Sequence, residues 1–240
     1  MPNPILILTA TGFEQHLLRE TIKQPAVQTV AHRTWTRGIL GNCPIILIET
    51  GMGQVNTAQT LAVAFQYIHP ELVLQIGIGG AYLPAQLQLG DLVLATVEHY
   101  GDLGIITPGG WVSAETIGIP IVKTHRDYYN SYPLDNHLVN EAETILRKLG
   151  EPVTKGPFVT MQQCSGRTDV GNALADRYQA ICENMEGAAA AHLCLLYQMP
   201  FLELRAISNQ VEDRNKNTWN IPLAIERAQV ATRYLLESLR

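Results

Sequence analysis

The sequence lacks any apolar run long enough to cross a bilayer, which takes roughly 18–20 consecutive residues. Residues 1–4 also lack the basic region and small-residue cleavage site of a signal peptide, and they lead directly into an apolar run at residues 5–8. Neither a membrane protein nor a secreted protein is therefore predicted. We expect a cytoplasmic protein.

A positively charged stripe is also missing. The chain has 17 Lys and Arg against 22 Asp and Glu, a net charge of −5, and its local clusters around Arg126 and Arg214 are short and mixed in sign. Proteins that bind nucleic acids or membrane surfaces usually carry a continuous basic surface. We therefore expect neither nucleic acid nor membrane as a partner.

Cysteines are few, and neither cysteine nor histidine shows the spacing of a metal site. The four cysteines form no CxxC pair, and the seven histidines form no HxH or HxxxH pair. We expect no metal and no cofactor. Without a secretory signal, reduced and mostly buried thiols are expected at the four cysteine positions, Cys43, Cys164, Cys182 and Cys194.

Short apolar runs alternate with segments of helical period along the chain. Residues 5–8, 45–48, 72–76, 92–97, 158–161 and 201–207 are predicted strands, and their continuous apolar character suits a sheet covered on both faces. This alternation predicts an α/β fold with a sheet between helix layers. The length suits a single domain, residues 1–240. Two segments have the apolar spacing of one helix face: Val55, Ala58, Ala62 and Phe65, and Ile221, Ala224, Ala228, Ala231 and Leu235.

Residues 100–133 have a different composition, rich in glycine, proline and aromatic residues such as Trp111, Tyr128, Tyr129 and Tyr132. A featureless linker would not carry so many anchoring aromatics. We predict an extended excursion from the sheet.

Ligands of open α/β sheets bind beyond the carboxyl ends of the strands. Four such places carry polar or glycine-rich sequence: residues 9–14 (TATGFE), 77–80 (GIGG), 183–187 (ENMEG) and 205–209 (RAISN). Each has a plain structural interpretation when taken alone. Glu14 could serve only the helix dipole, Glu186 could only cap a helix, and the glycines could only form tight turns. The GxGxxG fingerprint of a nicotinamide-dependent dehydrogenase is incomplete, which makes that alternative weak.

Taken together, these segments resemble the purine nucleoside phosphorylase and methylthioadenosine nucleosidase superfamily along nearly the whole chain. The resemblance rests on residues 14–19 (EQHLLR), 51–53 (GMG), 76–80 (IGIGG), 90–93 (GDLV), 184–188 (NMEGA) and 205–209 (RAISN). Residues 98–104 (EHYGDLG) and 213–219 (DRNKNTW) resemble the futalosine hydrolases within it. The resemblance implies a three-layer α/β sandwich with a central mixed sheet, and a homodimer or higher homo-oligomer.

The resemblance also implies roles for individual residues. Glu186 would accept hydrogen bonds from the ribose hydroxyls, and this contact strengthens as the ribose becomes cationic. Met185 would pack beneath the ribose, and Glu14 would orient and deprotonate the attacking water. Further substrate contacts are implied for Ile78, Gly79, Cys164, Ser165, Arg205, Asp213 and Trp219. Trp219 and the excursion near Tyr100 could hold the benzoate-bearing end of futalosine.

Asn209 distinguishes between purine bases, because adenine-releasing nucleosidases of this superfamily have aspartate there. A carboxamide can donate to a 6-oxo group while its oxygen accepts the proton arriving at N7. This pattern suits hypoxanthine or guanine, and mismatching a buried polar pair typically costs about 1–3 kcal/mol. Asp213 or Arg214 could also reach the base or the distal group.

Water is the expected nucleophile, because phosphorylases of the superfamily surround phosphate with arginines and this chain has none between Arg37 and Arg126. A phosphate role for Arg37 or Arg205 stays open. The prediction is hydrolysis of futalosine to hypoxanthine, a step of an alternative menaquinone route. The alternatives are a nucleosidase acting on methylthioadenosine, a phosphorylase acting on inosine or guanosine, and a non-catalytic nucleoside sensor. Retention of both Glu14 and Glu186 speaks against the sensor.

Overall fold

A ten-stranded mixed sheet lies at the centre of the computed structural model, which describes residues 2–148, 150 and 152–238. Its strands are β1 (Ile5–Thr9), β2 (Lys23–Val30), β3 (Arg33–Leu40), β4 (Cys43–Glu49), β5 (Leu72–Tyr82), β6 (Leu92–Tyr100), β11 (Ser131–Pro133), β12 (Val153–Thr160), β13 (Cys182–Asn184) and β14 (Phe201–Val211). Two small hairpins stand apart from it: β7 (Gly104–Thr107) with β8 (Gly110–Ser113), and β9 (Val122–Lys123) with β10 (Asp127–Tyr128).

Six α-helices of the described residues accompany the sheet. They are α1 (His16–Thr21), α2 (Gln54–Tyr67), α3 (Asn136–Arg147), α4 (Thr168–Tyr178), α5 (Gly187–Tyr197) and α6 (Ile221–Ser238). Helices α2 and α5 pack on each other, while α6 packs on α1, α3, β5 and β14. The predicted α/β fold with a mixed sheet and covering helices is confirmed. Within the described part of the chain, no helix has both the length and the apolarity of a membrane-spanning segment.

Strand β5 organises the sheet because it pairs with three other strands. Its first half pairs in parallel with β1, β14 runs parallel along its full length, and its end pairs with β13 in antiparallel orientation. Strands β5, β13, β12, β6 and β14 therefore pair in a closed ring, while β1, β4, β3 and β2 extend the sheet from β5. The carboxyl ends of β1, β5 and β14 consequently lie near one another.

All six predicted strands are present, since each predicted run lies within or largely within an observed strand. Their side chains form the main core, in which residues such as Leu6, Leu74 and Leu204 are fully buried. The hairpin of β2 and β3 was not predicted. Strand β2 is mostly exposed, so its sequence does not contain the apolar run by which the other strands were recognised.

Both predicted helices are present, but the predicted buried face of α2 is wrong. Val55 is 74% exposed, and the fully buried positions are Thr57, Thr60, Leu61 and Ala64. In α6 the prediction is correct for the buried residues Ala224, Ala228, Ala231 and Leu235. The buried face of α2 could not be predicted from the spacing of apolar residues, because two of its four buried residues are threonines.

The excursion at residues 100–133 consists of the two hairpins and a short 3-10 turn, after which β11 returns to pair with β6. Its aromatic side chains pack chiefly on one another and on His192 of α5. Tyr132 stacks on Tyr128 with ring centroids 6.1 Å apart, and on His192 at 5.1 Å. These contacts anchor the excursion to the sheet and to α5.

Candidate active site

A cavity of ≈ 380 Å³ lies where β1, β5, β13 and β14 end and α6 begins. Every predicted site residue except Asp213 lines it: Glu14, Ile78, Gly79, Cys164, Ser165, Met185, Glu186, Arg205, Asn209 and Trp219. No residue of the excursion at 100–133 lines this cavity. The structure therefore brings the two predicted catalytic acids, Glu14 and Glu186, into one site, but it does not place the Tyr100 region there.

Glu14 ends a 3-10 turn (Gly12–Glu14) that follows β1. Its Oε2 accepts hydrogen bonds from the backbone N–H and the hydroxyl of Thr11, at 3.0 and 3.1 Å. Its Oε1 accepts one from the backbone N–H of Ile78, at 3.0 Å. The Thr11 contacts form a capping box, where the plain structural interpretation expected only an interaction with the helix dipole. The Ile78 contact also fixes Glu14 against β5.

The pKa of Glu14 is raised, chiefly because the side chain is buried. The positive charge of Arg205 and the Ile78 N–H oppose this shift, while the negative charge of Glu186 adds to it. Gly77 permits the arrangement, since a Cβ there would lie 2.6 Å from Glu14 Oε1 and 2.9 Å from Arg205 Nη1. Glu14 is thus a buried carboxyl near a second acid, which is the environment of a general base.

Glu186 stands at the N-terminal end of α5 and is almost fully buried. Its Oε1 accepts a hydrogen bond from the backbone N–H of Gly53, 2.9 Å away, and its Oε2 lies 3.3 Å from Arg205 Nη2. Its carboxylate makes no capping hydrogen bond to α5. The side chain is therefore held by the loop before α2 and by β14, not by its own helix.

Arg205 is a buried cation whose hydrogen bonds are directed at the protein. Its Nε donates to Glu203 at 2.9 Å, Nη1 to the carbonyl of Ile78 at 3.1 Å, and Nη2 to Glu186 and to Asn184 Oδ1 at 3.3 and 3.4 Å. The surrounding carboxylates raise its pKa further. Arg205 consequently links Glu186 to Ile78 through hydrogen bonds, and its positive charge also acts on Glu14.

Behind Glu186 lies a buried network that the sequence analysis did not identify. Asn184 Nδ2 donates to Glu98 Oε1 at 2.6 Å, and its Oδ1 accepts from the backbone N–H groups of Glu186 and Gly187 at 2.9 and 2.7 Å. Burial and the adjacent Glu203 carboxylate hold the pKa of Glu98 well above its ordinary value. Burial likewise raises the pKa of Glu203. The sequence signal was available: two carboxyls inside continuous apolar strands.

Asn209 lies on β14 just past a bulge, where the register with β5 shifts between Ile207 and Asn209. Its Oδ1 accepts from the Ser208 hydroxyl at 2.8 Å, and its Nδ2 donates to the carbonyl of Gln210 at 2.9 Å. An amide group has one further N–H and one further lone pair beyond these contacts. Asn209 can therefore still meet a purine edge in the cavity.

Glu183 also lines the cavity, although it was not among the predicted site residues. It is 6% exposed, and three groups donate to it: the N–H of Ser165 at 2.8 Å, the hydroxyl of Ser165 at 2.6 Å and the hydroxyl of Tyr82 at 3.1 Å. Burial raises its pKa, and these donors oppose that shift. Its sequence signal was a second carboxylate two residues before Met185.

The outer part of the cavity is mainly apolar. Trp219 lies there with Phe13 and Ile221, and the Arg214 guanidinium packs over the Trp219 ring at 5.0 Å from its centroid. Among the described residues that line the cavity, Arg205 and Arg214 are the Lys or Arg side chains, and Arg205 is bound to Glu203 and Glu186. Arg37, the other candidate for phosphate, lies on β3 with its guanidinium 5.9 Å from the Trp35 ring centroid.

Asp213, predicted as a substrate contact, is exposed and lies outside the cavity lining. Its Oδ1 accepts hydrogen bonds from the backbone N–H and the hydroxyl of Thr168, at 3.0 and 3.3 Å, at the first residue of α4. The capping of α4 occupies the carboxylate. Of the two residues considered for assisting the leaving base, the structure places Asn209 against the cavity and Asp213 away from it.

Within the described residues the four cysteines form no disulfide with one another, and Cys43, Cys182 and Cys194 are buried. Cys164 as a whole is exposed, but its thiol is partly buried. This burial and the negative charges of Glu183 and Glu186 raise the pKa of the thiol to about 11. It lines the cavity as a neutral thiol.

Comparison with known proteins agrees with this geometry. The model of the phosphorylase superfamily matches residues 4–239. The chain belongs to that superfamily. It is 37% identical to the futalosine hydrolase of Thermus thermophilus over 83% of this chain and 84% of that protein. It is 27% identical to a 5′-methylthioadenosine/S-adenosylhomocysteine nucleosidase of Bacillus cereus, over 85% of each.

Solved structures of the superfamily share the fold. The nucleosidase of Neisseria meningitidis in complex with methylthio-immucillin-A superposes with a TM-score of 0.86 at 20% identity, covering 99% of this chain and 100% of that one. The S-adenosylhomocysteine nucleosidase of Streptococcus pyogenes gives 0.86 at 23% identity, covering 99% and 98%. With these relatives, the predicted family and the predicted class of enzyme, an N-glycosyl hydrolase, are confirmed.

Proposed function

We propose that the enzyme hydrolyses the N-glycosidic bond of futalosine and releases hypoxanthine, in the futalosine route to menaquinone. The observation that carries the proposal is the convergence of Glu14, Glu186 and Asn209 on one cavity. The 37% identity to a futalosine hydrolase supports this choice of substrate. Apolar side chains and Trp219 at the outer end of the cavity suit an aromatic distal group.

Glycosidic cleavage makes the ribose carbon cationic as the base leaves. In the proposed mechanism Glu186 accepts hydrogen bonds from the ribose hydroxyls, and these bonds strengthen as positive charge develops. Gly53 N–H and Arg205 keep the Glu186 carboxylate in place before the substrate binds. Met185, which also lines the cavity, packs against the ribose.

Glu14 orients the attacking water and takes its proton. Its raised pKa makes it a better base than an ordinary carboxylate, and the Thr11 and Ile78 donors fix its orientation. The amide N–H of Asn209 donates a hydrogen bond to the 6-oxo group. The departing base takes up a proton from solvent at N7, which balances the proton that Glu14 removes from water, and the Asn209 oxygen accepts a hydrogen bond from that N7–H. Each step uses a residue that lines the cavity.

Water is the proposed nucleophile because the described cavity residues offer little to hold phosphate. Arg205 is neutralised by Glu203 and Glu186, and Arg37 is not among the lining residues. A dianion needs several charge-assisted donors. A phosphorylase is therefore disfavoured by this site.

A methylthioadenosine/S-adenosylhomocysteine nucleosidase is the second candidate. It is supported by relatives of that name at 27–29% identity and by the fold of the solved nucleosidases. Asn209 favours the first candidate over it, since a carboxamide cannot carry the proton that an acidic group would give to N7 of adenine.

The test is a base-release assay. Purified protein is incubated with futalosine, inosine and methylthioadenosine, each with and without phosphate, and free base is followed by chromatography. We expect hypoxanthine from futalosine at a rate independent of phosphate. Release that requires phosphate would contradict the hydrolase, and adenine as the favoured product would contradict the assignment of Asn209.

A further inference from the structure

The Met52–Gly53 peptide, in the loop between β4 and α2, is hydrogen-bonded at both of its polar atoms. Its N–H belongs to Gly53 and donates to Glu186 Oε1 at 2.9 Å. Its carbonyl belongs to Met52 and accepts from Asn56 Nδ2 at 2.7 Å. One peptide unit therefore connects the carboxylate assigned to the ribose with a side chain of α2 that is not part of the cavity lining.

Arg33, the first residue of β3, continues this chain of hydrogen bonds. Its Nη2 donates to Asn56 Oδ1, and its Nε donates to Gln59 Oε1 at 3.3 Å. A Cβ on Gly51 would lie 2.8 Å from Arg33 Nη1 and 3.1 Å from Asn56 Nδ2, so both side chains lie against the backbone of the loop. Two amide groups in series, each accepting on one side and donating on the other, thus join the guanidinium of Arg33 to the carboxylate of Glu186.

The backbone of the loop does not by itself fix the direction of the Met52–Gly53 peptide. Turning this peptide over changes ψ of Met52 and φ of Gly53. Gly53 has a φ of 92°, and glycine adopts positive and negative φ about equally well. In the reversed orientation the Met52 carbonyl oxygen would face Glu186, and the carboxylate would lose its donor. A side chain that donates to the Met52 carbonyl therefore selects the observed orientation.

We infer that Asn56, held by Arg33, is a positioning residue that keeps the Gly53 N–H directed at Glu186. The inference rests on the proposed role of Glu186 at the ribose, and it does not depend on which base is released. Hydrogen bonds in series polarise one another, so the Asn56 contact also strengthens donation by Gly53. A carboxylate that is fixed before the substrate binds needs no reorganisation as the ribose becomes cationic.

The simpler interpretation is that Arg33, Asn56 and Gln59 only tie β3 to α2. Asn56→Asp separates the two interpretations, because an ionised aspartate still accepts from Arg33 but has no hydrogen to donate to Met52. We expect kcat per folded molecule to fall about 10- to 100-fold while KM changes less than about threefold, since the contact matters most in the transition state. Gln66→Glu makes the same amide-to-acid change at an exposed position of α2 and should leave both constants unchanged.

A double-mutant cycle tests whether the effect of Asn56 passes through Glu186. In a Glu186→Ala background the Gly53 N–H has no carboxylate to meet, so adding Asn56→Asp should lower kcat less than about twofold further. An unchanged kcat in folded Asn56→Asp, or the same fold loss in both backgrounds, would overturn the inference. The variants are compared on whichever nucleoside the wild-type enzyme cleaves in the base-release assay, so a wrong choice of substrate would appear there and leave this comparison intact.

Discussion

At the scale of single residues, Glu14 and Glu186 differ in how the protein holds them. Glu14 accepts three hydrogen bonds, from Thr11 and Ile78, while Glu186 accepts one from the Gly53 N–H and one from the Arg205 guanidinium. Both were proposed from the sequence as a pair serving one ribose, and the structure places both against one cavity. Their roles remain proposals that substitution can test.

Substitution of either acid by its amide should abolish most turnover. Glu14→Gln removes the base and should lower kcat by about 10²–10⁴, and Glu186→Gln removes a charge that stabilises the cationic ribose and should lower it by about 10²–10³. The measurement is hypoxanthine release under saturating substrate. Circular dichroism and thermal melting serve as controls for folding. Near-normal turnover in either folded variant would contradict the role assigned to it.

The pH dependence of kcat/KM should report the environment of Glu14. Because burial raises its pKa, the base becomes protonated at a higher pH than an ordinary carboxyl, and activity should fall on the acid side above pH 4.5. Thr11→Val deletes the hydroxyl donor that lowers this pKa, so its acid limb should lie at still higher pH. An identical acid limb in the two proteins would contradict the assignment of that limb to Glu14.

At the scale of elements, the start of α5 is fitted to the carboxyls of β6 and β14. A Cβ on Gly187 would overlap Glu98 Oε1 and both oxygens of Glu203. Gly187→Ala should therefore destabilise the protein by about 1–3 kcal/mol, although alanine is the better helix former. Urea unfolding measures this change. Ala173→Gly, at an exposed position of α4, is a control for helix propensity alone. A more stable Gly187→Ala variant would show that the carboxyls are not packed there.

The raised pKa of Glu98 should make the stability of the protein depend on pH. A group whose pKa is raised by folding stabilises fully below its unfolded pKa, and that contribution is lost as pH rises toward the folded value. Glu98→Gln keeps a neutral donor and cannot lose a proton, so its stability relative to the wild type should increase between pH 5 and pH 8. The groups that face Glu98 electrostatically also enter this balance: Glu203, Tyr82, Tyr100 and Cys182.

Denaturant unfolding of the wild type and of Glu98→Gln at pH 5 and pH 8 measures the free energies of unfolding that this prediction compares. Glu143→Gln is a suitable control, because Glu143 lies on α3 and its pKa is lowered by Lys155, so its contribution changes in the opposite direction. Parallel curves for Glu98→Gln and the wild type would show that no buried proton is involved.

At the scale of the whole molecule, we propose a homodimer or higher homo-oligomer, as the family resemblance implies. The apolar side chains of Phe13 and Met52, which line the cavity, are largely exposed, and a second chain could cover them. Light scattering coupled to size exclusion should give at least twice the mass of one chain. A mass of one chain over micromolar concentrations would contradict the proposal.

Sequence pattern predicted the interior strands well and the rest of the sheet poorly. Strands β1, β4, β5, β6, β12 and β14 are continuous apolar runs, since burial on both faces permits few polar residues. Strand β2 is exposed along its length and β13 has three residues, so neither carries such a signal. Glu14, Ile78 and Asn209 were likewise predictable, because they follow the ends of predicted strands. Met185 and Glu186 follow the unpredicted β13 and were identified from the family resemblance.

The sequence by itself determined the α/β class, the superfamily and ten of the residues that line the cavity, because local hydrophobic pattern and short motifs carry that information. Tertiary structure alone decided that Asp213 caps α4 and that Glu183 and Asn209 lie on either side of Gly80. It also decided that the carboxyls of Glu98 and Glu203 are buried together at the start of α5. These relations join positions more than twenty residues apart, and strand register, which follows from the packing of the whole sheet, sets them.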